Sequence, residues 1–307
     1  MAVARSQFLA IVGRNIPLCR DHFRLVLNLP TFPPTRPGQF IQISCNDVDP
    51  DMDDFPEILW DPGQRADIHG LELRSPQAVL RRPFSLAGRR DESDHVELDI
   101  IHRVVGLSTH WLANLSEGDL VNILGPLGNA FHLPPPHGTA LLVGGGVGIP
   151  PMLYLAGALR SHNAVAFAGA TTADLLPLHP DSLGAEEFSR HNIPAILATD
   201  DGSLGFRGFV TQALEEYLDT RQPTHPTIYT CGPEPMMKRV ADIALQREIL
   251  CQIAVERAMA CGMGTCQSCC IRVRKPDPAA VPLPGKDWCY RLACTDGPVF
   301  TAAQLLW

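Results

Sequence analysis

Between residues 7 and 29, apolar and polar positions alternate in two runs, 8–13 and 23–29, the pattern of paired antiparallel strands. A Pro37-Gly38 turn feeds another predicted strand over 40–45. Further strands are expected at 96–102 and 120–124, with a short helix over 110–115 between them. Short strands punctuated by Gly and Pro predict a small antiparallel β-barrel over 1–137. Inside it, 46–79 has no periodicity and holds seven acidic residues between Asp47 and Asp61, so it reads as a long surface insertion.

The pattern changes at 134–138. Residues 139–143 form a continuous apolar run, as in a strand buried on both faces, and lead through a glycine turn into a helix predicted over 152–161. More apolar runs follow at 164–169, 193–198, 227–230 and 251–255, with helices predicted over 208–218 and 235–247. Strands alternating with helices predict a doubly wound parallel sheet over 138–250. A small cysteine-bearing unit, 251–307, completes the chain. The expected fold is therefore multidomain β plus α/β.

Composition narrows the class. The 307 residues are 45% hydrophobic and 19% charged, an ordinary globular balance. A net charge of −8 argues against a nucleic-acid partner, whose phosphates demand a basic face. No apolar run is long enough to span a bilayer, and the first residues lack the apolar core and cleavage site of a signal peptide. Ten cysteines without an export signal point to thiolate chemistry in a reducing cytoplasm.

Three of these cysteines, Cys261, Cys266 and Cys269, stand at C-x4-C-x2-C, the plant-type [2Fe–2S] spacing, and a further one, Cys294, follows in A-C-T-D-G-P-V-F. Gly262 and Gly264 permit the tight backbone that wraps three thiolates around one centre. A zinc site would usually show a second C-x2-C knuckle, and a disulfide staple would need an oxidising compartment. The turn Gly144-Gly145-Gly146-Val147-Gly148-Ile149 sits between strand and helix, where free N–H groups face an anion. It is neither a G-x-G-x-x-G fingerprint, whose last glycine falls on Ile149, nor a P-loop, because it has no Lys. Alone it could equally pack a helix on a sheet. Two more turns at strand ends, Thr199-Asp200-Asp201-Gly202-Ser203 and Cys231-Gly232-Pro233-Glu234-Pro235, favour a nucleotide site. Arg81-Arg82-Pro83-Phe84-Ser85-Leu86 alone reads as a surface turn or a ligand motif.

Together these segments resemble the ferredoxin–NADP reductase superfamily, and more closely the electron-transfer subunits of NAD-dependent (class 1B) dihydroorotate dehydrogenases, along nearly the whole chain outside 46–79. R-R-P-F-S-L, G-P-L-G-N-A-F, G-G-G-V-G-I-P-P, T-D-D-G-S-L-G-F-R-G-F-V, C-G-P-E-P-M-M-K and the C-G-M-G-T-C-Q-S-C…C-T-D-G-P-V-F tail carry the resemblance. It implies FAD contacts from Arg82, Pro83, Phe84 and Ser85, with Arg82 on the pyrophosphate, and a flavin-lining strand at Ile101, His102 and Arg103. Ser108 and Thr109 occupy the family's Gly-Thr position, Ser108 being a departure. NAD contacts are implied for Gly144, Gly145, Gly146, Gly148, Asp201, Cys231, Gly232 and Pro233, and cluster ligation for Cys261, Cys266, Cys269 and Cys294. Cys270 and Cys289 are additional thiols, and no catalytic acid–base residue is needed. Residues 170–174 offer no Arg or Lys for a 2′-phosphate and do offer Asp174, which favours NAD, with Arg207 the one cation expected nearby.

The implied partner is an FMN-containing dihydroorotate dehydrogenase catalytic subunit, two copies of each chain, with Met259, Met263 and Trp288 available for docking. The implied function is passage of electrons from that FMN through [2Fe–2S] and FAD to NAD⁺, in pyrimidine (UMP) biosynthesis. The flavin and iron–sulfur subunit of a sulfide dehydrogenase, or of an NADPH-dependent ferredoxin reductase, is the alternative within the same architecture.

Overall fold

The computed structural model describes residues 6–46, 80–159, 162–275 and 287–307. Apart from Asn46, the expected acidic insertion lies outside them. The first sheet is antiparallel and seven-stranded, in the order β4-β3-β7-β1-β2-β6-β5. Its strands are β1 (Ser6–Cys19), β2 (His22–Leu29), β3 (Phe40–Ile43), β4 (Arg82–Ser85), β5 (Gly88–Asp91), β6 (Val96–Arg103) and β7 (Leu120–Leu127), with helix α1 (Leu107–Ala113) before β7. The edge strands β4 and β5 are separated only by Leu86 and Ala87. Leu86 N–H donates to Gln39 O and Ala87 N–H to Asp99 O, so this link bonds to both ends of the sheet and curls it into a barrel. Leu25, Leu27, Ile41, Ile43, Leu98, Ile100 and Ile123 fill the inside.

The second sheet runs β13-β12-β9-β8-β14-β15-β18. Its parallel strands are β8 (Thr139–Gly145), β9 (Asn163–Ala170), β12 (Ala195–Thr199), β13 (Phe206–Arg207), β14 (Pro226–Cys231) and β15 (Leu250–Ala254), and β18 (Val299–Thr301) adds antiparallel to β15. Between them come α2 (Ile149–Ala158), a small hairpin β10 (Pro180–Asp181) and β11 (Gly184–Ala185), α3 (Glu186–Ser189), α4 (Val210–Arg221) and α5 (Glu234–Gln246). A separate hairpin, β16 (Cys270–Arg274) with β17 (Trp288–Leu292), carries the end of the cysteine loop. Strand order reverses between β8 and β14, so a crevice forms at their carboxyl ends, where such sheets bind ligands.

Several boundaries differ from the sequence reading for identifiable reasons. β1 runs on to Cys19 through irregular pairing after Val12, and its tip leaves the barrel: Leu18 packs on the core of the second sheet. Helix α2 begins at Ile149, not 152, because Pro150 and Pro151 sit in the first turn, where a missing N–H leaves no intrahelical bond unmade. Strands β4, β5, β13 and β18 hold only two to four residues each, too few to show a local period. β16 does alternate, burying Ile271 and Val273 between exposed Cys270, Arg272 and Arg274, but the sequence reading did not single it out.

The link between the sheets is pinned by polar side chains. Gln252 on β15 accepts from His132 N–H at 2.8 Å and donates to His132 O at 2.8 Å, and Tyr229 O–H also donates to that carbonyl at 2.8 Å. Gln252 is 3% exposed, and Gln252→Leu removes both of its hydrogen bonds to His132, which should lower unfolding stability by about 1–3 kcal/mol in denaturant melts.

Candidate functional site

The barrel and the second sheet meet along a cleft of about 430 Å³. Pro83, Phe84 and Ser85 line it from β4, Ile101, His102 and Arg103 from β6, and Thr109 from α1. Cys231, at the carboxyl end of β14, and Val147 of the glycine turn close the other side. Eight sequence-predicted residues thus come together. Phe40, Glu256 and Arg257 also line the cleft. Sequence reasoning missed them; their one available signal was position, just after β15 for the latter two, at the sheet edge where ligands bind.

The polar groups in the cleft are chemically distinctive. His102 is 2% exposed, yet neither ring nitrogen has a hydrogen-bond partner. Phe23 stacks on it at 5.8 Å and Phe84 meets it edge-on at 6.3 Å. Burial, reinforced by nearby His22, pushes its pKa down to about 4, so the imidazole is neutral at pH 7. An orphaned donor and acceptor walled by aromatic rings fit a planar heteroaromatic ligand with polar substituents, as a flavin is. Burial, aided by Glu256, holds the Cys231 thiol protonated. Glu256 faces open cleft space, but protein surrounds it closely enough to push its carboxyl above the ordinary range.

Two flavin candidates, Arg82 and Ser108, lie off the cleft wall. Arg82 is half-buried on β4 with no hydrogen bond or ion pair among the described residues, whereas Arg81 is committed to Asn122, donating to its O at 3.2 Å and its Oδ1 at 2.7 Å. Ser108 is buried and is not among the residues that line the cleft. The Thr109 hydroxyl accepts from Val105 N–H at 2.9 Å and Gly106 N–H at 3.1 Å, so it shapes its own turn.

On the nucleotide side, Gly148 packs on the Cys231-Gly232 turn so closely that a Cβ would fall 2.1 Å from Cys231 O. Gly145 meets Pro233 and Met236 of the same turn, and Gly144 backs onto Ile149. Gly146 differs: at φ +52° it has open space where a side chain would stand, as a phosphate approaching the backbone requires. Asp201 lies in the exposed turn after β12, its Oδ1 accepting from Ser203 N–H at 3.0 Å and O–H at 2.7 Å. Arg207 is not the one cation near this edge. The β1–β2 tip brings Arg20 to Asp174, with Nη1 3.1 Å from Oδ2, a pairing across 154 residues that no local pattern reveals.

The four expected cluster cysteines gather beside the cleft. Gly262 and Gly264 adopt φ of +67° and +91°, folding the loop back so that Met263 N–H and Cys266 N–H both donate to Cys261 Sγ at 3.4 Å. Ser268 Oγ lies 3.2 Å from Cys266 Sγ, and hydrogen bonds from Ser268 lower that thiol to about 6, toward the thiolate that binds metal. Cys269 and Cys294 are buried at 2% and 1% and touch each other. Among the described residues no three ligand side chains converge on a single ion. The thiols instead form two couples, Cys261 with Cys266 and Cys269 with Cys294, a spread that suits a two-iron cluster better than one zinc. Cys270 is exposed on β16, and Cys289 pairs with Val273, three positions along the hairpin away from Cys270.

The chain resembles known proteins in both sequence and fold. Residues 256–306 match the model of the iron–sulfur cluster binding domain of dihydroorotate dehydrogenase B, and 142–242 that of the oxidoreductase NAD-binding domain. A relative from Caldanaerobacter subterraneus subsp. tengcongensis is 34% identical over 230 residues, 75% of this chain and 82% of its own. One from Geobacillus kaustophilus is 36% identical over 251 residues, 80% and 86% of the two chains. Both are named dihydroorotate dehydrogenase B (NAD(+)), electron transfer subunit. Among solved structures, an NADH-dependent reduced ferredoxin-NADP oxidoreductase superposes with a TM-score of 0.73 at 25% identity, covering 97% of this chain and 90% of that one. A cytochrome P450 reductase from Amycolatopsis reaches 0.57 at 27% identity, covering 80% and 67%. No helix among the described residues is long and apolar enough to cross a membrane.

Cys294→Ser should bleach or shift the visible spectrum of the iron–sulfur centre, whereas Cys289→Ser and Cys270→Ser should retain iron and spectrum. Iron loss in the Cys289 variant with retention in the Cys294 variant would reverse the assignment.

Proposed function

The chain belongs to the family of dihydroorotate dehydrogenase B (NAD(+)) electron-transfer subunits, and from that premise we propose that it relays electrons from a dihydroorotate-oxidising partner to NAD⁺, within pyrimidine biosynthesis. The chain is a flavin and iron–sulfur oxidoreductase subunit that uses FAD, a [2Fe–2S] cluster and NAD. The supporting observation is one continuous path. The flavin-type strands β4 and β6, the Cys231 turn and the stretch from Glu256 to Met259 share a cleft, and Met259 precedes Cys261 by two residues.

Each cofactor falls to one part of the chain in this proposal: FAD to 1–137, NAD to 138–250 and the cluster to 251–307. When bound, the flavin exchanges a hydride with the nicotinamide and single electrons with the cluster, bridging two-electron and one-electron chemistry. The protein binds, orients and excludes water. Arg82, which makes no side-chain hydrogen bond or ion pair among the described residues, pairs with the FAD pyrophosphate, while Pro83, Phe84, Ser85, Ile101, His102 and Arg103 wall the ring, and Ser108 and Thr109 shape the phosphate turn. Gly146 leaves its backbone open to the NAD phosphates, Gly144, Gly145 and Gly148 let the turn pack closely enough to present it, and Cys231, Gly232 and Pro233 flank the nicotinamide. Asp201 sits toward the ribose, where with Asp174 it disfavours a 2′-phosphate. Cys261, Cys266, Cys269 and Cys294 hold the cluster, and half-exposed Met263, with Trp288 at the other end of the β16–β17 hairpin, offers apolar surface to an FMN-bearing catalytic subunit in an assembly of two copies of each chain. A cytoplasmic setting keeps the ten unpaired cysteines reduced.

The isolated chain should oxidise NADH with an artificial acceptor, prefer NADH over NADPH, and make no orotate. Adding the catalytic subunit should give NAD⁺-coupled orotate formation. Orotate production by the isolated chain would overturn the division of labour, and failure to bind that subunit would favour a sulfide dehydrogenase or ferredoxin reductase role. Arg82→Ala should release FAD on dilution, since a charge-assisted bond is about twice as strong as a neutral one, while Arg81→Ala should retain it. Equal retention in the two variants would misplace the pyrophosphate.

A further inference from the structure

On β3, alternation sends Ile41 and Ile43 into the barrel core and Phe40 and Gln42 out of it. Phe40 belongs to the same buried apolar cluster as Met259, Cys269 and Cys294. Gln42 is completely buried, yet it is polar, and it reaches the cysteine loop. Its Nε2 donates to Ala260 O at 3.3 Å, and a Cβ on Gly262 would stand 2.6 Å from its Oε1. The side-chain amide therefore lies against both residues that flank Cys261. Through the backbone, Gln42 is paired with Pro83 of the flavin-type strand.

The energetics argue that this amide is not there for stability. Its Oε1 is buried without a hydrogen-bond partner, and its one bond is long. An apolar side chain of similar volume would fill the space without leaving a buried carbonyl unpaired. What an apolar residue could not do is fix the loop laterally, because apolar contacts are non-directional. The amide's orientation is itself determined: a flipped group would set two oxygens against each other at Ala260.

We propose that Gln42 is a positioning residue for electron transfer between flavin and cluster, holding the Ala260–Gly262 turn, and with it the Cys261 sulfur, at a fixed place relative to the flavin-binding strand. The inference rests on the cluster assignment above. Displacement of this turn would also disturb the Met263 and Cys266 N–H donors on Cys261 Sγ, and such donors help set a cluster's potential.

Two variants of the full chain carrying FAD and cluster test it. Gln42→Met keeps volume and removes the amide. Gln42→Glu keeps shape but turns an oxygen toward the Ala260 carbonyl. NADH delivers two electrons as a hydride to the flavin. One electron passes on to the cluster, and the other stays until ferricyanide, a one-electron acceptor, removes it. NADH–ferricyanide turnover, which the flavin alone supports, should be unchanged in both variants. Bleaching of the cluster by NADH in stopped-flow should slow about tenfold, with altered g-values in the reduced cluster's EPR spectrum, and Gln42→Met should melt no lower than wild type. Wild-type bleaching and spectrum in both variants would overturn the proposal. So would joint loss of FAD and cluster, since Gln42 would then serve the barrel's fold. Absence of any cluster from the wild-type chain would refute the cluster assignment instead.

Discussion

Asn129 holds the geometry of this chain together. It lies between β7 of the barrel and β8 of the second sheet, and its side chain binds the strand that returns from the cysteine loop. Its Nδ2 donates to Asp296 O at 3.0 Å and Val299 O at 2.8 Å, and its Oδ1 accepts from Val299 N–H at 2.8 Å. Three bonds on one buried-edge amide fix the C-terminal module against barrel and sheet together. Beside it, Val255 N–H donates to Pro298 O at 2.9 Å and β18 pairs with β15, so both ends of the cysteine-bearing segment are clamped to one strand. A relay needs its centres at constant separation, and these bonds supply that constraint.

Within the clamp, the sites divide by chemistry. The cleft wall on the barrel side is largely apolar and aromatic, with a neutral His102 as its distinctive polar group. The nucleotide edge is built from turns whose glycines either pack tightly, as Gly148 does on Cys231, or stand open, as Gly146 does. The cysteine loop mixes exposure and burial: Cys266 is exposed, while Cys269 and Cys294 are buried among apolar side chains that also contact the barrel through Phe40. One side of the centre is therefore insulated inside the protein and the other is open to a partner.

Much of this was legible in the sequence because it is local. The C-x4-C-x2-C spacing, the glycine turn after an apolar run and the R-R-P-F-S-L segment each place their chemistry within a few residues, and the strand–helix alternation gave the parallel sheet. What stayed hidden depends on contacts between distant positions. Arg20 meets Asp174 only because β1 extends past its barrel, and Gln42 meets Ala260 across 218 residues. Ser108 stands beside Thr109 in the sequence, yet it is buried off the cleft wall while Thr109 lines it, a difference that sequence spacing does not record. Strand β18 carries too few residues for a period, and its partner β15 decides it, whereas β16 alternates over five residues beside the cysteine loop and was overlooked.

The central claim is that this chain stands between a dihydroorotate-oxidising subunit and NAD⁺. Its most direct test is anaerobic EPR of the reconstituted complex, with dihydroorotate added before any NAD⁺. A reduced [2Fe–2S] signal should appear only when both chains and dihydroorotate are present, be lost when Cys294→Ser replaces the wild-type chain, and collapse when NAD⁺ is added. Dihydroorotate-dependent reduction of NAD⁺ by a complex whose cluster never becomes reduced, or whose cluster is absent, would contradict the account.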